Sequence, residues 1–380
     1  MLRFLSAKQI FNQTKFLEQD TVLVVEFNKI KEITTKNDVS TDKIEFIDGI
    51  ITPGFVNTHC HTELSHLKGK INTHIGLIEF AKNIVNKRND LSLNEIETHT
   101  QAADELMFKN GIVAVGDICN TNHSLPVKKN SKIYYHNFIE LIGLNPKHAE
   151  HNFNEGLKLY NLFLSNGQKA TLAPHAPYST SLQLIKLIEK QNALNISTIH
   201  NQESIEETYF FKGEKSKVND LYDYLNIPIT FFSPPKTSSL KNYLPYFNSK
   251  KNILVHNTFT EITDVEITND FVFWCFCPNA NLYIENCLPN YKLFQNKINS
   301  ICIGTDSLAS NFNLDICSEI NTILNHSTVF TLEQLLQAAT YNGAVALQID
   351  DNFGSIKGNI TSFNVLEFKN NNLKLVSKLK

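Results

Sequence analysis

Eight short apolar runs, most of them separated by helical patterns, punctuate the middle of this 380-residue chain. The runs are Ile50 to Val56, Gly111 to Ile118, Lys132 to Ile139, Ala170 to Leu172, Ile196 to Ile199, Asn252 to Val255, Val272 to Phe276 and Ser300 to Ile303. Helical periodicity marks Ile75 to Val85, Leu93 to Lys109, Asn154 to Leu164, Ser181 to Gln191 and Thr331 to Leu347. Strands alternating with helices argue for parallel βαβ units. Eight such units point to an α/β architecture of the (β/α)8 TIM-barrel class. In that class the chemistry gathers at the C-terminal ends of the strands.

The two ends of the chain read differently. Leu2 to Ile10, Thr21 to Phe27, Lys31 to Ile33 and Ile44 to Ile47 are strand-like, with turn residues between them. Ser362 to Phe368 and Leu373 to Leu379 alternate again, around the turn Asn370-Asn371-Asn372. These β-rich ends are expected to pair into one small sheet domain.

Composition narrows the partners. The apolar share of 42% suits a globular protein. A net charge of −3 without a basic block argues against nucleic acid, because phosphate binding needs clustered Lys and Arg. No apolar run approaches the roughly 20 residues of a membrane span. The start, Met1-Leu2-Arg3-Phe4-Leu5-Ser6-Ala7-Lys8, breaks its apolar pattern too soon for a signal peptide. Seven scattered cysteines, with Cys275 and Cys277 separated by one residue and no CxxC pair, oppose a disulfide framework. A cytoplasmic protein with a small-molecule partner is the expectation.

Ligand-type residues fall at the ends of the runs. His59 and His61 follow the first, in Thr58-His59-Cys60-His61-Thr62-Glu63. Side chains at i and i+2 of a strand share a face, so both rings can reach one ion. His200 ends the fifth run and Asp306 follows the eighth, in Gly304-Thr305-Asp306-Ser307. Three imidazoles and one carboxylate make a divalent site with an open position for water. Taken singly, each is an ordinary hydrogen-bonded or capping residue. Together they form a constellation. Glu203, three residues beyond His200, is placed to move a proton, whereas Glu206 and Glu207 read as exposed first-turn residues. His256, ending the sixth run, is a further ligand or a group that orients water. His175, ending the fourth, reads as a substrate contact, and Tyr178 and Ser179 cap a helix or add polar contacts. Glu63, Ser65 and His66 on the first loop read as substrate-binding residues or as a solvated loop.

These residues resemble the amidohydrolase superfamily along nearly the whole chain. The resemblance rests on Pro53 to His61, His200-Asn201-Gln202-Glu203, Cys277-Pro278-Asn279-Ala280-Asn281-Leu282, Gly304-Thr305-Asp306-Ser307 and Ala338-Ala339-Thr340-Tyr341-Asn342-Gly343-Ala344. It implies a metal-dependent barrel over 53–344 and a small β-sandwich from 1–52 plus 345–380. His175 stands where two-metal members carry a bridging Lys or Glu, which implies the one-metal aminohydrolase branch. There His59, His61, His200 and Asp306 hold one divalent ion, zinc or iron; Glu203 moves protons and His256 assists, with Asp306 sharing the base role. Asn57 to Gly69 and Gly304 to Asn311 look most like the aminodeoxyfutalosine deaminases of a menaquinone route. That resemblance implies loss of the amino group from a 6-aminopurine nucleoside carrying an aromatic acid. Many relatives have Arg-Ser-Asn where this chain has Asn279-Ala280-Asn281, and Asn281 is taken as a substrate contact. Relatives often form homodimers. Guanine- or cytosine-type deamination, amide or halide hydrolysis, and a non-catalytic binding role are the alternatives. A cytidine-deaminase-like fold finds its HxE in His148-Ala149-Glu150 but lacks any PCxxC.

Overall fold

The computed structural model describes residues 2–193 and 195–379; Met1, where the N-terminal reading begins, Leu194 and Lys380 lie outside them. Two four-stranded parallel sheets occupy the middle of the chain. One holds β1 (Phe55–Cys60), β2 (Ile112–Cys119), β3 (Tyr134–Leu141) and β4 (Lys169–Pro174), in chain order. The other holds β5 (Ile196–Asn201), β6 (Lys251–His256), β7 (Val272–Phe276) and β8 (Ile301–Ile303). Crossover helices connect them, among them Leu93–Lys109, Ala149–Ser165 and Leu182–Gln191. Nearly every residue of the strands is buried, which is why the runs read as continuous rather than alternating apolar sequence.

The sheets curl toward each other and meet along two seams. At the first, the His200 amide donates to the His175 carbonyl at 2.9 Å. At the second, the Thr305 and Asp306 amides both reach the His59 carbonyl at 3.1 Å. Side chains reinforce this second seam: Asn57 accepts from the Thr305 amide at 3.0 Å and donates to its hydroxyl at 2.8 Å. Gly304 allows the approach, since a Cβ there would lie 2.8 Å from the His59 Cβ.

Both chain ends build one mixed eight-stranded sheet. Leu2–Asn12 pairs with Thr21–Glu26 on one side and, in parallel, with Ile44–Pro53 on the other. Phe363–Lys369 then joins Ile44–Pro53 and carries Asn372–Lys378 at the edge. Leu5, Leu23, Ile51, Phe363 and Val365 form a core of their own. Ile50, Leu366 and Leu373 face the other way and enter the main core.

Two predicted elements change. The first run, 50–56, divides at Pro53-Gly54 between the terminal sheet and β1. Proline supplies no ladder N–H, and a Cβ at Gly54 would lie 2.4 Å from Val113 and 2.6 Å from the Ser362 carbonyl. The late helix, read as Thr331 to Leu347, is Leu332–Gln337, a π-helical turn Ala338–Asn342 and Gly343–Ala346. Its wide turn lets the Asn342 amide reach the carbonyls of Ile298 at 2.7 Å and Ile301 at 2.8 Å. Among the described residues no helix is long and apolar enough to cross a membrane.

Candidate active site

Strand geometry brings the ligand-type side chains to one point. His59 lies within β1 and His61 just past it, two residues on and therefore on the same face. Their Nε2 atoms are 3.2 Å apart, and His61 Nε2 is 3.2 Å from His200 Nε2 on β5. Asp306 Oδ1 lies 3.6 Å from His59 Nε2 and 3.4 Å from His61 Nε2. Asp306 has φ +55° and His256 φ +74°, left-handed values that turn the chain sharply where β8 and β6 end.

Donor separations of this size suit four ligands about 2.0–2.2 Å from a shared divalent ion. Hydrogen bonding supports the same arrangement. His200 Nδ1 lies 2.8 Å from the His175 carbonyl, which assigns its N–H there and leaves the Nε2 lone pair facing the centre. Burial pushes His61 down to about 3 and holds His200 well below the usual imidazole range, so both rings are neutral donors near pH 7. Burial alone would raise Asp306, but contact with His59 and the nearness of the His61 and His256 rings hold it well below the carboxylate range. Its Oδ2 accepts from the Ser310 hydroxyl at 2.5 Å, which leaves Oδ1 toward the histidines.

Across the centre stand Glu203 and His256, with Glu203 Oε1 3.6 Å from His256 Nε2. Glu203 precedes the helix Ile205–Lys212 rather than opening it, because Ser204 takes the cap position. Burial, then the nearby charges of Asp306 and Glu285, push the Glu203 carboxyl well above its ordinary range. That shift favours the protonated form, the form that can donate a proton. His256 Nδ1 lies 2.8 Å from Asn281 Oδ1, which leaves its Nε2 as the acceptor facing Glu203.

These groups form the floor of a cavity of about 680 Å³. His175 lines it, with Nδ1 2.6 Å from the Ser179 hydroxyl. Tyr178 and Ser179 also line it, while Ser181 is the residue that caps the following helix. Phe80, Ile84 and Leu221 contribute to an apolar wall, and Arg88 is the lining residue with a permanent cation.

Three expected substrate contacts lie elsewhere. Glu63 faces away from the cavity, where its carboxylate accepts from the amides of Asn120 at 3.2 Å and Thr121 at 3.1 Å. The His66 ring spans the carbonyls of Glu63 at 3.1 Å and Arg88 at 3.0 Å. Asn281 is buried behind His256 and orients that ring. For Glu63 and His66 the neighbouring backbone uses the polar atoms a substrate would need, and for Asn281 the His256 ring uses Oδ1. Glu207 is also not an exposed first-turn residue: it is buried, accepts from Ser239 Oγ and the Gln202 amide, and burial pushes it up to about 8.

Sequence reading missed Glu140, Ser310 and the pair Asp117–Lys128. Glu140 is the penultimate residue of β3 and lines the cavity. The signal was available, since a strand-end carboxylate obeys the rule that found Asp306, but the predicted run stopped at Ile139. Asp117 takes the Thr62 amide at 2.8 Å and its hydroxyl at 2.6 Å, and pairs with the buried Lys128 at 2.5 Å. That network holds the chain just after His61. Nothing local in the sequence links positions 62, 117 and 128.

Comparison with known proteins agrees with this geometry. The model of the amidohydrolase family matches residues 50–378. An adenosine deaminase of Helicobacter pylori is 27% identical over 329 residues, covering 83% of this chain and 78% of the relative. A 5'-deoxyadenosine deaminase of Methanococcus vannielii is 28% identical over 375 residues, covering 91% and 82%. The crystal structure of Helicobacter pylori aminofutalosine deaminase with methylthio-coformycin superposes with a TM-score of 0.81 at 23% identity, covering 97% of this chain and 92% of that one. With the family model spanning most of its length and the strand-end histidines and aspartate converging, the chain belongs to the amidohydrolase family.

Proposed function

We propose that this protein is a hydrolytic deaminase that replaces the amino group of a 6-aminopurine nucleoside with oxygen and releases ammonia. The observation that carries the reading is one cluster: three imidazole nitrogens and one carboxylate converge, and the buried Glu203 carboxyl stands beside them, 3.6 Å from His256. The named deaminases among the relatives support the same reaction. We read the curled parallel sheets as a (β/α)8 barrel and the terminal sheet as a small β-sandwich, with the boundary near residue 53 and the return near 345.

His59, His61, His200 and Asp306 would hold one divalent ion, and zinc suits a set of three nitrogens and one oxygen. Bound there, the ion supplies Lewis-acid activation of water. Asp306, steadied by Ser310, and His256, oriented by Asn281, accept the proton of the attacking water. Glu203 donates to a ring nitrogen of the purine, which makes the adjacent carbon electrophilic. Water's oxygen bonds to that carbon, the amino nitrogen takes the proton held by Asp306 or His256, the C–N bond breaks to release ammonia, and the remaining hydroxyl proton returns to Glu203 as the C=O forms. The apolar wall suits a nucleoside whose 5' arm is hydrophobic, and Arg88 suits an anionic end on that arm.

The test is ammonia release by zinc-loaded protein with adenosine, 5'-deoxyadenosine and aminodeoxyfutalosine, using Asp306→Ala as the blank. Release from one nucleoside and none from the blank is the expected result. No release from any, with metal bound, would move the reaction to another hydrolysable bond.

A further inference from the structure

Glu140 sits in an unusual position. Its side chain is 3% exposed, and one oxygen, Oε2, accepts from Asn120 Nδ2 at 2.9 Å. The other, Oε1, is buried without a hydrogen-bond donor. Its only neighbour at ion-pair distance among the described residues is His200 Nδ1, at 3.5 Å. A buried carboxylate with no cation beside it is costly, so a structure that keeps one implies a counter-charge. The His200 ring offers a route to one. Its Nε2 faces His61 and the centre, and its Nδ1 faces Glu140 and the His175 carbonyl.

We propose that Glu140 is a positioning residue for the metal centre, a carboxylate placed behind the His200 imidazole that strengthens it as a ligand. The inference rests on the reading of His200 as a ligand. The His175 carbonyl takes the Nδ1–H, so the Glu140 carboxylate acts through its charge 3.5 Å behind the ring, which raises the basicity of Nε2 and favours a cation there. Asn120 holds the carboxylate in place, and the Asn120 amide is itself held by Glu63. The chain of contacts thus runs Glu63, Asn120, Glu140, His200. It gives the buried Glu63 a structural purpose that the loop alone does not require.

The experiment is zinc competition against a chromophoric chelator for wild type, Glu140→Gln, Glu140→Asp and His200→Ala, with thermal unfolding of each metal-free and zinc-loaded form. Glu140→Gln is expected to fold, to keep or gain stability without metal, and to bind zinc about 10–100-fold more weakly. Glu140→Asp should recover part of the loss, and serves as the test variant if Glu140→Gln does not fold. Unchanged zinc affinity in the folded variant overturns the proposal. If the KM for the nucleoside then rises instead, the carboxylate is a substrate contact. If metal-free stability falls and zinc affinity holds, it is a packing residue. Wild-type zinc affinity in His200→Ala would overturn the ligand reading itself, and the proposal with it.

Discussion

Glu203 shows most directly how burial becomes chemistry at a single residue. The sequence located it three positions beyond His200, but the upward shift of its carboxyl follows from the buried cavity floor around it. An acid that must donate a proton works only below its own pKa. Activity is therefore expected to fall as pH rises through the elevated Glu203 value, above the ordinary carboxyl range. Glu203→Gln should cost about 10²–10⁴ in kcat while zinc content stays at the wild-type level. A kcat profile across the alkaline range with metal analysis of both proteins checks this, and a fully active variant removes Glu203 as the acid. Arg88 carries a second residue-scale prediction. Asn279, where the family resemblance leads us to expect arginine, bonds to Glu319 and Ser318 instead of lining the cavity, so its identity says little about substrate charge. Arg88 lines the cavity from another element. Arg88→Ala should raise KM about 10–100-fold for nucleosides with an anionic 5' arm, the worth of one charge-assisted hydrogen bond. Neutral nucleosides should be little affected. Equal loss on both would place Arg88 in a structural role.

At the scale of elements, the seam between β1 and β8 governs the site. β8 is three residues long, so backbone pairing alone cannot set where Asp306 lands. Asn57 and Thr305 link the two strands through side chains, and Gly304 lets them touch. Gly304→Ala would place a methyl 2.8 Å from the His59 Cβ and 2.9 Å from the His59 carbonyl. The strands must separate, at about 1–3 kcal/mol of stability. The Asp306 carboxylate moves with β8, so zinc affinity should fall as well. Chemical denaturation and chelator competition on one preparation measure both, and a variant with wild-type zinc affinity would show that the seam tolerates the shift. The strands themselves were legible because each is a buried apolar run. The π-helical turn at Ala338–Asn342 was not, since its geometry answers to Asn342 reaching two carbonyls more than forty residues away in sequence.

For the whole molecule, the proposed ion ties together strands from both curled sheets. His59 and His61 come from the first, and His200 and Asp306 from the second or just past its end. Metal removal should therefore lower global stability. Zinc at about 100 times its Kd contributes roughly 2.7 kcal/mol, so a chelated sample should lose that much stability and melt at a lower temperature. A melting temperature indifferent to chelation would mean that the four residues do not share an ion. The sequence by itself determined the strand–helix order, the β-rich character of both ends, and the residues at the strand ends, because burial periodicity and residue type are local properties of a chain. It also singled out His59, His61, His200 and Asp306, since ligand chemistry depends on side-chain identity. Only the tertiary structure decided which polar residues face the cavity. Glu63 and His66 bond to neighbouring backbone and Asn281 Oδ1 to the His256 ring, while Glu140 and Arg88 face inward. Such assignments depend on partners brought close across 22 to 58 residues of chain, as in Glu63–Thr121 and His66–Arg88, and no local pattern encodes that proximity.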